Sequence, residues 1–305
     1  MEPILNNSVQ LIERILRLKK ERNAVILVHN YQDAEIYKVA DFIGDSLELS
    51  RKVTTVDAEI IVFCGVRFMA ETAKILNPGK MVLLPHPEAT CSMADMSDAA
   101  GLIKLKNAHP DAAVVCYINT NADVKALSDI ICTSANALKI VNSLPNEEII
   151  FLPDKNLAAY IQTKTDKKII PYEAFCYVHN TFNAEMLHDM KKDYPYAEVI
   201  AHPESPADVL AISEHIEGTG GMARAAINST AKQFIMVTEC GMAEKLRIDV
   251  PDKEFISFCN ICSYMKMTNL YLVERALTKL QYQINVPEPV MTNARKAIER
   301  MLEVI

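Results

Sequence analysis

Cys91, Cys176 and Cys262 are spaced by 85 and 86 residues. Each closes a segment of one kind, a lysine followed by a short apolar run: Lys80-Met81-Val82-Leu83-Leu84, Lys168-Ile169-Ile170 and Lys253-Glu254-Phe255-Ile256. Such spacing suggests three copies of one folding unit, each giving one sulfur to a common point. Three thiolates on a shared axis can hold an iron–sulfur cluster and leave one iron without a protein ligand, and that iron is a Lewis acid. Zinc is the competing metal, but structural zinc takes four ligands from tight local pairs. Only Cys259-Asn260-Ile261-Cys262 makes such a pair, which reads as a redox disulfide or as the source of a fourth ligand. Cys64, Cys116 and Cys132 lie in or beside apolar strand segments and read as core thiols; Cys240 leans the same way.

Other landmarks repeat with nearly the same period. His29-Asn30-Tyr31, Tyr117-Ile118-Asn119 and His202-Pro203-Glu204 each follow an apolar run, at intervals of 88 and 85 residues. Ser46, Ser134 and Thr219 repeat the same two intervals, as do Phe63, Phe151 and Met236 in a third apolar strand. Known linear arrays use shorter periods, so three units point to a closed pseudo-threefold body and not a solenoid. His29, Tyr31, Tyr117, Asn119, His202 and Glu204 form a set that can move protons and bind carboxylates. Ser46, Ser134 and Thr219 fall where helices begin, where free N–H groups and a hydroxyl suit a carboxylate or phosphate; the plainer role for each hydroxyl is a helix cap.

The elements that must position these groups alternate. Val25-Ile26-Leu27-Val28, Ile60-Ile61-Val62-Phe63, Val82-Leu83-Leu84, Val114-Val115-Cys116 and Ile149-Ile150-Phe151-Leu152 are continuous apolar runs, as in strands buried on both sides. Between them lie helical patterns such as Ile36, Val39, Ala40, Ile43 and Leu138, Val141, Leu144. An opening helix spans 8–21 with Leu11, Ile15 and Leu18 on one face, and a last helix spans 289–305 with Ala294, Ile298 and Leu302 inward. The expected fold is α/β: three similar αβα three-layer domains with small parallel sheets, about four strands each, arranged with pseudo-threefold symmetry around a central cluster and active site. The expected domains are 1–90, with the helix 289–305 packing back on it, 91–175 and 176–288. In such sheets ligands bind beyond the carboxyl ends of the strands, where every landmark lies.

Half of the 305 residues are hydrophobic, about a quarter are charged and the net charge is −7, with no basic cluster. Nucleic acid is therefore not an expected partner. No apolar run is long enough to span a bilayer, and 1–10 does not read as a signal peptide, so the expected location is the cytoplasm, where eight cysteines suit metal ligation and core packing better than disulfides.

The same residues carry a resemblance to the quinolinate synthase family of NAD biosynthesis. The matching stretches are His29-Asn30-Tyr31-Gln32, Ala40-Asp41-Phe42-Ile43-Gly44-Asp45-Ser46-Leu47, Phe68-Met69-Ala70-Glu71, Ala89-Thr90-Cys91-Ser92-Met93-Ala94, Cys132-Thr133-Ser134-Ala135-Asn136-Ala137, Cys176-Tyr177-Val178-His179, His202-Pro203-Glu204 and Cys262-Ser263-Tyr264-Met265-Lys266. They cover essentially the whole chain, in order. The resemblance implies a condensing enzyme, a transferase with dehydration steps. It would join iminoaspartate to dihydroxyacetone phosphate, give quinolinate with loss of phosphate and water, and use the open iron of a [4Fe–4S] cluster held by Cys91, Cys176 and Cys262.

Carried over by position, His29, Ser46, Phe68, Met69, Tyr117, Asn119, Ser134, His202, Glu204 and Thr219 would bind substrate. Tyr31, His202, Glu204, Tyr117 and His29 would be catalytic. The pathway implies functional coupling to an aspartate oxidase or dehydrogenase. Ser205 stands where many members have cysteine, Ala174-Phe175 where a glycine is usual, and Met265 where some have a third cysteine after Cys259 and Cys262. Two other readings of the residues are a different [4Fe–4S]-dependent hydro-lyase and a non-enzymatic iron–sulfur sensor. The sensor would need a partner-binding surface that the sequence does not show.

Overall fold

The computed structural model describes residues 2–304. Twelve strands form three separate four-stranded sheets, all parallel in their pairing. The first sheet has β1 (Ala24–His29), β2 (Phe42–Gly44), β3 (Ile60–Cys64) and β4 (Met81–Leu83) in the order β2-β1-β3-β4. The second has β5 (Ala113–Tyr117), β6 (Ile130–Cys132), β7 (Glu148–Leu152) and β8 (Lys168–Pro171) in the order β6-β5-β7-β8. The third has β9 (Glu198–Ala201), β10 (His215–Ile216), β11 (Gln233–Val237) and β12 (Glu254–Ser257) in the order β10-β9-β11-β12. One topology is used three times, and the α/β architecture expected from the alternating runs is present.

The chain divides into two compact units. One comprises 1–91 and 262–291 and holds the first sheet; the other comprises 92–261 and 292–305 and holds the other two. In the first unit, Ile26, Val28, Ile60, Val62 and Cys64 point to one face, where Ile15 of the helix Glu2–Glu21 and Val273 and Leu277 of Leu270–Lys279 cover them. This is the period-two alternation of a pleated strand meeting the helical stripe predicted from Leu11, Ile15 and Leu18. In the second unit, Val199, Ala201, Ile235 and Val237 meet Phe182, Leu187 and Val209 in the same way.

Two expectations about elements need adjustment. The helical pattern through Ile43 stops early: the helix is Ala34–Tyr37, and Ile43 belongs to β2. The cause is Asp41. Its backbone N–H donates to the Ile26 carbonyl at 2.9 Å, and its carboxylate accepts from the Ile26 N–H at 2.8 Å, so the chain is drawn alongside β1. Asp129 grips Val114 identically (3.1 and 2.7 Å), and the Glu214 carboxylate accepts from the Val199 N–H at 2.7 Å. Asp41, Asp129 and Glu214 are again 88 and 85 residues apart. The last helix runs Glu288–Glu303, with Ala294 and Ile298 buried and Leu302 half-buried; Ile305 lies outside the described residues.

Candidate functional site

A parallel sheet in this order has its switch point between the first and third strands, where loops leave in opposite directions and open a crevice. In the first unit, β1 ends at His29. Its Nδ1 accepts the Tyr31 N–H at 3.1 Å, and the two rings meet edge-on at 4.8 Å. Lys266 Nζ donates to the Tyr31 carbonyl (2.8 Å) and pairs with the Asp33 carboxylate (3.0 Å), and the Gln32 amide donates to the Met265 carbonyl (2.8 Å). The segment just after Cys262 is thus held against the end of β1. After β3, Phe68 and Met69 are buried at the start of Arg67–Leu76, and the Arg67 N–H donates to the carbonyl of Ala89, two residues before Cys91, at 2.8 Å.

The second unit gathers the ends of β5, β7, β9 and β11. His179 lies in the short helix Tyr177–Asn180 that follows Cys176. Its Nδ1 is 2.7 Å from Glu204 Oε2 and 3.2 Å from Cys176 Sγ, its Nε2 is 3.0 Å from the Thr238 hydroxyl, and its ring stacks on His202 at 4.5 Å. Burial works against ionisation of Glu204. The neighbouring His202 and the hydrogen bonds from His179 and Tyr117 outweigh it and hold the carboxylate at about 2. His179 therefore donates from Nδ1 to Glu204, and its Nε2 accepts from Thr238. His202 Nδ1 accepts the Glu204 N–H at 3.3 Å, and burial, with His179 adding and Glu204 opposing, lowers His202 to about 3. His202 is neutral at pH 7 with its proton on Nε2. Glu204 Oε1 is buried without a hydrogen-bond partner among the described residues.

Asp154, fully buried at the end of β7, is pushed well above the usual carboxylate range by burial and by Glu204's charge, against three backbone N–H donors. On the ligand side, one atom each of Cys176, His179 and Glu204 all lie within 4.8 Å of one another, a group able to hold a metal ion.

The anion-binding positions are partly as expected. Ser46 and Thr219 head the helices Ser46–Val53 and Thr219–Asn228, but the caps are Asp45, in a reciprocal box with Glu48, and Gly218. The two hydroxyls are not caps. Ser134 sits in the turn before Ala137–Ser143, where Asn136 Oδ1 accepts the Thr133 N–H at 2.7 Å. The fold brings Ser134 to the Thr219 helix: a Cβ built on Gly218 would lie 2.6 Å from Ser134 Oγ. Asn119 is half-buried, with Oδ1 lacking a partner.

Cys64, Cys116, Cys132, Cys240 and Cys259 are free thiols. Cys64, Cys116 and Cys132 are completely buried and burial raises each thiol, as core cysteines require. Cys91, Cys176 and Cys262 are half-buried, and each follows the fourth strand of its sheet.

The family model described as quinolinate synthetase A protein matches residues 13–303. The chain belongs to that family. It is similar to a protein named quinolinate synthase from Methanosarcina barkeri, 51% identical over 297 residues, covering 97% of this chain and 98% of that one. A quinolinate synthase from Dehalococcoides mccartyi is 49% identical over 294 residues, 96% of this chain and 97% of its own length. One from Geobacter metallireducens is 46% identical over 294 residues, with the same two coverages. No helix among the described residues is long and apolar enough to cross a membrane. His179, Asp154 and Thr238 are the site residues that the sequence reading passed over; His179 alone carried a signal, three residues after Cys176 in a quoted motif.

Proposed function

We propose that this chain is a quinolinate synthase, condensing iminoaspartate with dihydroxyacetone phosphate to quinolinate with loss of phosphate and water. The observation that carries the reading is the buried group around Glu204: a carboxylate kept ionised, with one oxygen held by His179 and the other unpartnered, beside the Cys176 thiol. Family membership over nearly the whole chain supports it. We further propose three αβα domains, one built on each sheet, on the ground that the three sheets share one strand order, with the segment 262–291 returning to the first.

Cys91, Cys176 and Cys262 are proposed as ligands of a [4Fe–4S] cluster. The donor set fits: these thiols are half-buried at equivalent strand ends, whereas the core thiols are sealed inside strands. When bound, such a cluster supplies a Lewis-acidic iron suited to dehydration. The chain's own groups do the rest. Glu204 accepts a proton at Oε1, and His202 donates from Nε2. Tyr117, His29 and Tyr31 supply further hydrogen bonds or protons. Ser46, Ser134, Asn119 and Thr219 hold carboxylate and phosphate oxygens, aided by the positive end of the Thr219–Asn228 helix. Phe68 and Met69 form wall. Iminoaspartate would come by functional coupling to an aspartate oxidase or dehydrogenase.

The test is turnover by anaerobically reconstituted protein. Wild-type chain should form quinolinate from the two substrates. Glu204→Gln should keep its iron and sulfide and form none. Absence of quinolinate from iron-replete wild type overturns the assignment, and full activity in the variant removes Glu204 from the chemistry.

A further inference from the structure

The turn after β7, Pro153-Asp154-Lys155-Asn156, touches two site residues that are distant in sequence. Asp154 caps the helix Lys155–Gln162, its Oδ1 accepting the Leu157 N–H at 2.7 Å. Its Oδ2 accepts the N–H of Cys176 at 3.1 Å. One residue on, the Lys155 N–H donates to the Ala174 carbonyl at 2.9 Å, the Ala174 N–H reaches the Pro153 carbonyl at 3.3 Å, and Lys155 Nζ lies 5.0 Å over the Phe175 ring. The β7–β8 ladder is thereby extended by an isolated Asp154–Ala174 bridge up to Cys176. Ala174 and Phe175 thus supply the carbonyl and the ring that fasten the loop. Asn156 turns the other way: its side-chain amide donates to the Glu204 carbonyl at 2.9 Å and to Asn180 Oδ1 at 3.0 Å.

We propose that Asp154 and Asn156 are the positioning residues that set Cys176 against Glu204, one fixing the thiol's backbone and the other the carboxylate's. The proposal rests on Cys176 and Glu204 serving the function given above. Both bonds come from one turn, so thiol and carboxylate are referred to a common fixed point at the end of a buried strand. The Asp154 side chain can serve both N–H groups at once because its two oxygens face different donors, Oδ1 the cap and Oδ2 Cys176. An amide in its place has a single acceptor and must leave either the cap or Cys176 unserved.

The experiment uses the full-length chain, reconstituted with iron and sulfide, in wild type, Asp154→Asn, Asp154→Ser, Asn156→Ala and Cys176→Ala. Serine is a good helix cap but too short to reach Cys176 as well, so it separates the two roles. Amide hydrogen exchange should quicken about tenfold or more at Cys176 in Asp154→Ser, and at Cys176 or Leu157 in Asp154→Asn, the scale set by losing one buried acceptor. Iron should pass to a chelator faster by a similar factor, while exchange within β7 is unchanged. In Asn156→Ala, iron retention should match wild type and kcat should fall about tenfold with KM little altered, because Glu204 is misplaced without being removed. Wild-type exchange at Cys176 in folded Asp154→Ser, or wild-type kcat in Asn156→Ala, overturns the proposal. Full iron retention in Cys176→Ala instead overturns the ligand assignment, and the exchange data then judge Asp154 alone.

Discussion

His202 offers a measurement with a fixed sign. It is 4% exposed, its Nδ1 is occupied by the Glu204 N–H, and its folded-state value is about 3 against 6.5 in the unfolded chain. Between those values the unfolded chain binds a proton that the native chain does not. Stability therefore rises with pH through this window, is fully present above 6.5 and is lost as pH falls below it. The slope for one such proton is about 1.4 kcal/mol per pH unit, so the step from pH 6.5 to 4.5 removes roughly 2–3 kcal/mol. Glu204, lowered from 4.5 to about 2, adds a second loss of the same sign, confined to acid below 4.5.

The assay is urea unfolding of iron-free wild type and His202→Gln at pH 7.5, 6.5, 5.5 and 4.5. The variant should be less stable at pH 7.5, since it leaves a gap and a weaker acceptor. The gap between the two proteins should then shrink by about 1.4 kcal/mol for each pH unit below 6.5. A constant gap across all four pH values would show that His202 protonates normally in the folded chain. Imidazole proton resonances supply the independent reading: that of His202 should not move above pH 4.

Cys176→Ala, reconstituted without oxygen, should lose the brown colour and bind iron only at background; unchanged iron content removes it from the ligand set. Gly218→Ala should raise KM for the phosphate-bearing substrate about tenfold with kcat retained, because the new methyl group must displace Ser134 Oγ from 2.6 Å. An unaltered KM would show that Ser134 does not hold substrate. Asp45→Ala removes the side-chain half of the capping box at Ser46–Val53, leaving the backbone N–H of residue 45 on the Glu48 carboxylate, and should cost about 1 kcal/mol, a drop of roughly 2–4 °C in Tm, without changing iron content.

The repeat was legible in the sequence because each copy needs the same buried strands at the same spacing, and strands buried on both faces leave unbroken apolar runs. The second strands were not. β2, β6 and β10 are two or three residues long and owe their place to carboxylates that grip the first strand of each copy. Asp41, Asp129 and Glu214 repeat in register, but a lone acid before a short apolar pair has no distinctive pattern. The hydroxyls of Ser46 and Thr219 could be located but their caps misjudged, since Asp45 and Gly218 precede them by one residue. His179 shows the deeper limit. Its role comes from Glu204, Thr238 and His202, which reach it from two other strand ends. No local spacing encodes such a meeting, and Asp154 went unnoticed for the same reason.

Tyr31, Asn119 and Glu204 occupy one position in the three copies, two residues beyond His29, Tyr117 and His202. In the first and third copies the backbone there is identical in its bonding, a histidine Nδ1 accepting the N–H two residues on. The scaffold thus aims three different groups, a phenol, an amide and a carboxylate, by one device. Asn119 Oδ1 and Glu204 Oε1 are both buried acceptors without donors among the described residues, and an unserved buried acceptor costs about 1–3 kcal/mol. A fold that repeats its structural carboxylates so faithfully had the means to satisfy these two as well. That it leaves them bare at the position where its copies diverge fits the substrate-binding role proposed for Asn119 and Glu204.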